Sequence, residues 1–171
     1  VVYYYEDSKI KKIMTTDSLP DDFNESDRNS VISDANVSSL PIYAWFDNKD
    51  NDGDGKGDGI LYVYTIAAGI YGGTDMSHMF TYEKSLKDIS ALADWNTSGV
   101  TDMRGMFYGS IALSDISALA DWNTSGVTWM GDMFRRMSSL SDISALANWN
   151  TANVTDMSLL FCNDTSLSDI S

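Results

Sequence analysis

The chain has 171 residues, 43% of them hydrophobic, which is enough for a packed core and too many for a disordered chain. A formal charge of −14, from 25 acidic and 11 basic residues, excludes the basic stripe that binding to nucleic acid or an anionic membrane surface requires. The single cysteine, Cys162, excludes an internal disulfide framework, and no apolar run reaches the ~18 residues of a membrane-spanning helix.

Residues 1–72 carry no repeat and read as an N-terminal capping region. Lys9-Ile10-Lys11-Lys12-Ile13-Met14 predicts a strand, and the Asp-, Asn- and Ser-rich stretch from Ser18 to Ser39 predicts a long loop. Ile42-Tyr43-Ala44-Trp45-Phe46 and Ile60-Leu61-Tyr62-Val63-Tyr64 are aromatic and β-branched runs. They predict a β-hairpin over about residues 40–66, with an acidic loop at 47–59.

Within that loop, Asp50-Asn51-Asp52-Gly53-Asp54-Gly55-Lys56-Gly57-Asp58 fits the pattern D-x-D-x-D-G-x-x-D. Such a loop presents alternate hard oxygen ligands to one cation. The candidate is calcium, held by the carboxylates of Asp50, Asp52, Asp54 and Asp58 and the backbone carbonyl of Lys56. Against this, Leu61 stands where an EF-hand has its bidentate glutamate, and the predicted flanks are strands. A metal-free hairpin tip is the alternative, because two carboxylates about 6 Å apart in water repel by only about 0.7 kcal/mol.

From Gly73 onward the chain repeats with a period of 27 residues. Trp95, Trp122 and Trp149 keep that interval, as do Leu86, Leu113, Leu140 and Leu167; Met76, Met103, Met130 and Met157; and Phe80, Phe107, Phe134 and Phe161. The unit reads L-x-D-I-S-A-L-A-[DN]-W-N-T-[SA]-[GN]-V-T-x-M-x-x-[ML]-F plus a variable tail. The Leu-x-x-Ile-Ser and Val-Thr-x-Met pieces predict extended segments, Trp-Asn-Thr-Ser-Gly predicts a turn, and Met-x-x-Met-Phe is spaced like one helical or 3-10 turn. One unit has too few apolar side chains to offset the entropy of ordering it, so units must stack and share their cores. The hairpin is the expected cover for the first unit. The chain starts without an initiator Met and stops in mid-pattern at Asp169-Ile170-Ser171, so residues 73–171 are expected to be an array truncated at its C-terminus.

Thr74-Asp75-Met76-Ser77-His78-Met79-Phe80 and Trp95-Asn96-Thr97-Ser98-Gly99-Val100-Thr101-Asp102-Met103-Arg104-Gly105-Met106-Phe107 resemble the 26-residue repeat of bacterial surface proteins, the BspA-like leucine-rich-repeat proteins and related lipoproteins. This sequence departs from that pattern in its 27-residue period, in Asn after Trp, and in Ser110, Met137 and Asp164 where a Cys is common. The resemblance implies a leucine-rich-repeat-like solenoid of short strands with short helical or 3-10 turns. It also implies a location at the surface of a bacterial cell or outside it, and a role in adhesion or protein binding.

The column after the Thr of Val-Thr reads Asp75, Asp102, Trp129, Asp156. A column otherwise held by Asp is expected to face solvent, so Trp129 is an expected exposed aromatic. Arg135 and Arg136 stand in the variable tail of the same unit. Trp and Arg are enriched in binding hot spots, which makes Trp129, Arg135 and Arg136 the candidate partner-binding residues; ordinary drift of a tolerant surface is the alternative. The Met columns read as core filler and His78 as a surface residue. Cys162 has no base in register, and the Asp88, Asp115, Asp142, Asp169 column reads as a solvated stripe or turn cap. No convergent nucleophile, base and oxyanion donor is visible. The expectation is therefore a non-catalytic extracellular binding module for a protein or glycan, with a passive spacer array as the competing possibility.

Overall fold

The computed structural model describes residues 11–16, 42–47, 59–65 and 73–168. Strands β1 (Lys12–Thr16), β2 (Ile42–Asp47) and β3 (Ile60–Thr65) form one sheet in the order β1-β3-β2. β2 and β3 pair antiparallel, with Ile42 opposite Thr65 and Asp47 opposite Ile60, at the two aromatic runs that predict a hairpin. β1 pairs parallel with β3, Lys12 opposite Ile60; it takes in the last three residues of the predicted first strand and runs on to Thr16.

Among the described residues, β1 links the sheet to the first repeat. The Ile13 amide donates to the Asp88 carbonyl (3.0 Å), and the Lys87 and Asp88 amides donate to the Lys11 carbonyl (2.8 and 3.1 Å). The Lys12 ammonium lies 2.8 Å from the Asp88 carboxylate. Ile13 is fully buried and joins the core that the repeats continue.

Equivalent residues of successive units lie in register. Asp75, Asp102, Trp129 and Asp156 form a chain of single parallel bridges. Between the first two units, the amides of Met76, His78, Phe80 and Tyr82 donate to the carbonyls of Asp102, Arg104, Met106 and Tyr108 at 2.6–2.9 Å. The second unit repeats the pattern onto Trp129, Gly131, Met133 and Arg135, and the third onto Asp156, Ser158, Leu160 and Cys162.

Side-chain ladders reinforce this stack. Phe80, Phe107, Phe134 and Phe161 stack with centroids 5.6, 6.0 and 5.6 Å apart. The indole N–H of Trp122 donates to the Leu92 carbonyl and that of Trp149 to the Leu119 carbonyl, both at 2.9 Å. The Thr97 hydroxyl donates to the Asn123 carbonyl and the Thr124 hydroxyl to the Asn150 carbonyl, both at 3.2 Å. These bonds let Trp122, Trp149, Thr97 and Thr124 sit at buried or half-buried positions without stranding a polar group.

The predicted extended pieces shrink to single bridging residues at Asp75, Asp102, Trp129 and Asp156 in the Val-Thr-x-Met column, and in the Leu-x-x-Ile-Ser column to Asp88 alone among the described residues. In the Leu-x-x-Ile-Ser piece, Ile89, Ile116 and Ile143 directly precede 3-10 helices at Ser90–Asp94, Ser117–Leu119 and Ser144–Leu146. The cause is local: Asp88, Asp115 and Asp142 each accept the amide of the Ser two residues on, at 2.8–2.9 Å, which turns the backbone away from ladder pairing. After Val-Thr-x-Met the chain enters hydrogen-bonded turns, such as the Met106 amide to the Met103 carbonyl (3.3 Å) and the Tyr108 amide to the Gly105 carbonyl (3.0 Å). Left-handed residues end each turn in two columns: His78, Gly105, Asp132 and Leu159 (φ 56–59°), and Tyr82, Gly109, Arg136 and Asn163 (φ 60–74°). Among the described residues there is no α-helix, and no helix is long and apolar enough to cross a membrane.

Candidate binding face

Trp129 is 43% exposed, in a column whose other members are aspartates. In those units the carboxylate accepts the amide two residues on: Ser77 to Asp75 (2.8 Å), Arg104 to Asp102 (2.9 Å) and Ser158 to Asp156 (2.8 Å). An indole cannot do this, and it instead serves as a platform. The Arg104 guanidinium carbon lies 5.2 Å from the Trp129 ring centroid, a cation–π contact between adjacent units.

Asp102 fixes that guanidinium. Arg104 Nε reaches both Asp102 oxygens at 3.0 Å and Nη2 reaches Oδ2 at 2.5 Å. Burial pushes the Asp102 carboxyl up, but the hydrogen bonds and charge of Arg104 outweigh it and hold the group below the usual carboxylate range. The Asp column is thus not uniformly solvated. Asp102 is only 6% exposed, where the sequence pattern predicts an outward carboxylate, because Arg104 pairs with it and places its guanidinium between it and Trp129.

Arg135 and Arg136 are placed elsewhere. Their guanidinium carbons lie 5.6 and 6.0 Å from the ring of Tyr108, not of Trp129. Tyr108 in turn meets Tyr82, with centroids 4.7 Å apart and planes inclined by 54°. Arg135 Nη1 donates to Asp132 Oδ1 at 2.9 Å, while its Nε is buried without a hydrogen-bond partner. A hydrogen bond to Tyr108 holds the Tyr82 hydroxyl above its ordinary pKa. The sequence candidates therefore fall into two aromatic–cation clusters, Trp129–Arg104–Asp102 and Tyr82–Tyr108–Arg135–Arg136.

Arg104, Asp102, Tyr82 and Tyr108 are additions from the structure. One sequence signal points to the tyrosine pair: Gly109 occupies the Tyr82 column, and Tyr108 sits one residue out of register with Tyr82. A Cβ at Gly109 would lie 2.5 Å from Tyr82 Cδ1, so the glycine is the seat on which the Tyr82 ring rests. His78 is exposed, with Nδ1 3.3 Å from the Thr81 hydroxyl and its ring resting on Gly105 in the same manner.

The loop residues Asp50, Asp52, Asp54, Lys56 and Asp58 lie outside the described residues. Among the described residues, no three His, Cys, Asp or Glu side chains converge as a metal site. One buried carboxyl stands out. Asp164 is 8% exposed and accepts the Met137 amide at 2.7 Å through Oδ1, while Oδ2 has no partner. Burial raises its pKa to about 6 against the opposing amides of Met137 and Arg136.

Units that stack in register and expose a few deviant side chains on their outer columns define a repeat protein. The chain belongs to the family described as "Mycoplasma protein of unknown function, DUF285", whose profile matches residues 74–171, more than half of its length. The family description names no catalytic activity. No curated protein and no solved structure matches the chain.

Proposed function

We propose that the chain is a non-catalytic binding module of adhesion type, part of a leucine-rich-repeat-like solenoid akin to the BspA-like surface proteins. It acts at the surface of a bacterial cell or outside it and takes a protein or glycan on the outer face of its repeats. The observation that carries this reading is Trp129, a large aromatic left 43% exposed where the repeat has aspartate, with Arg104 held against its ring by Asp102. A merely solvated column has no use for an indole, and a partly exposed Trp with an oriented guanidinium is the composition of a hot spot.

The competing role is a passive spacer that presents another domain. It is favoured by the outer columns that stay uniform, Asp88, Asp115 and Asp142, whose carboxylates are each engaged by their own unit's backbone. Immobilised chain screened against extracellular-matrix proteins and a glycan array decides between the two. The binding role expects at least one ligand whose retention falls about tenfold or more in Trp129→Ala and Arg104→Ala. Equal retention by the parent chain and both variants, across every ligand, would leave the spacer.

A further inference from the structure

We infer that Tyr82, Tyr108, Arg135 and Arg136 form a subsite for a carboxylate-bearing pyranose, the chemistry of a uronic acid residue of a glycan. The inference rests on the reading of the chain as a binding module but uses residues that the Trp129 cluster does not touch.

The first argument is backbone cost. Tyr82 and Arg136 both occupy the left-handed column, at φ 60° and 61°, where the other units place Gly109 and Asn163. Glycine and asparagine tolerate that conformation, whereas long side chains bearing a Cβ are disfavoured there. The left-handed backbone holds both side chains against one ring: Tyr82 meets Tyr108 from the preceding unit with its plane tilted by 54°, and Arg136 lies over it from the following one. Strain tolerated at two positions that converge on one group marks a site more than a surface left to drift.

The second argument is charge. The chain carries −14, yet two guanidinium groups lie over one phenol. Asp132 neutralises Arg135 and orients it. Arg136 is exposed, and among the described residues no carboxylate lies within ion-pairing distance of it. One planar fork is left to take one carboxylate, a pairing for which bidentate geometry is favoured. A polyanion, such as nucleic acid or an acidic peptide, would meet the field of the whole acidic chain, while a single carboxylate on a neutral ring is shielded from most of it over about 8 Å at physiological salt.

The third argument is shape. Tyr82, 39% exposed and in contact with the Tyr108 ring over which Arg136 lies, leaves an aromatic ledge beside that fork. The C–H face of a pyranose covers such a ledge while its hydroxyls stay in water or meet the phenol oxygens.

The test is a titration of sodium glucuronate into the full chain, followed by NMR of ¹³C-labelled tyrosine rings. Glucose, acetate and a hexaglutamate peptide are run in parallel. Saturable shifts at Tyr82 and Tyr108 are expected, with glucuronate binding about tenfold or more tighter than glucose or acetate. Arg136→Ala and Tyr82→Ala should each lose about tenfold, Arg136→Lys should recover part of the loss, and Trp129→Ala should change nothing. Unchanged thermal midpoints confirm that the variants fold. Glucose binding as tightly as glucuronate would overturn the carboxylate assignment, and tighter binding of hexaglutamate would make this an acidic-peptide site. No tyrosine shift with any probe would overturn the subsite; the Trp129 reading would then stand or fall on its own array result.

Discussion

The inner and outer columns of the same repeat obey opposite rules. Inward, Phe80, Phe107 and Phe134 are at most 2% exposed and stack on one another, so each one's burial depends on its neighbours in the next units. Outward, Thr81, Tyr108, Arg135 and Cys162 share a column and have little chemistry in common. In a stacked array the inner face is fixed by packing, and the outer face is free to vary wherever the backbone ladder closes without its side chains. Difference on an outer column therefore carries information that difference on an inner column would forfeit in stability.

The sharpest way to break this contrast is Phe107→Ala, in the middle of the ring stack. Truncating a fully buried Phe is expected to cost about 3–5 kcal/mol, read as a lower urea midpoint. An effect as small as that of an outer substitution would show that the stack does not hold the array together. Gly109→Ala tests a place where the two faces meet. Its Cβ would overlap Tyr82 at a residue with φ 74°, and a loss of about 1–3 kcal/mol is expected. Tyr82→Ala should recover part of that loss by removing the overlap.

Acidity separates two carboxylates in the same way. Asp164 has its pKa raised to about 6 from 3.8, so its contribution to stability is whole below about pH 4 and is lost as pH rises through about 6. The loss is on the order of 1 kcal/mol after allowance for solvent screening. Asp88, held at about 2 by its hydrogen bond to Lys12, behaves oppositely: its contribution is whole above about pH 4 and is lost as pH falls through about 2. Urea denaturation of Asp164→Asn between pH 4 and pH 8 should lack the decline seen in the parent chain. A parallel decline would remove Asp164 as its source.

The smallest effects belong to the surface. Lys12→Ala breaks a solvent-exposed ion pair to Asp88, and about 0.2–1 kcal/mol is expected. Trp129→Ala should change stability by less than about 1 kcal/mol, the range of one exposed cation–π contact, while it weakens about tenfold or more the binding of a ligand held by the Trp129–Arg104 cluster. A loss comparable to that of Phe107→Ala would make Trp129 a packing residue.

The core was legible because burial imposes the period on the sequence. Trp95, Trp122 and Trp149 announce the repeat, and the structure adds the reason two of the indoles are tolerated there, a carbonyl of the preceding unit for Trp122 and Trp149; the Trp95 indole N–H is buried with no hydrogen-bond partner among the described residues. The exposure of Trp129 was legible too, since it replaces an aspartate. Its partner was not. Arg104 shares a column with Ser77, Gly131 and Ser158, and nothing in that list says its guanidinium leans toward the next unit. Arg135 and Arg136 were found as candidates, but not the ring they lie over, because a period of 27 aligns equivalent residues, while the hydrogen bonds join Tyr82 to Tyr108, one residue short of it.

The sequence by itself determined the repeat, the identity of nearly every core column and the columns on which variation falls, because apolar burial is paid for at fixed intervals along the chain. Only the tertiary structure decided which outer side chains meet. Those meetings depend on the offset between neighbouring units and on left-handed residues that aim Tyr82 and Arg136, and the offset is set by hydrogen bonds between backbones, which carry no signature in the side-chain pattern.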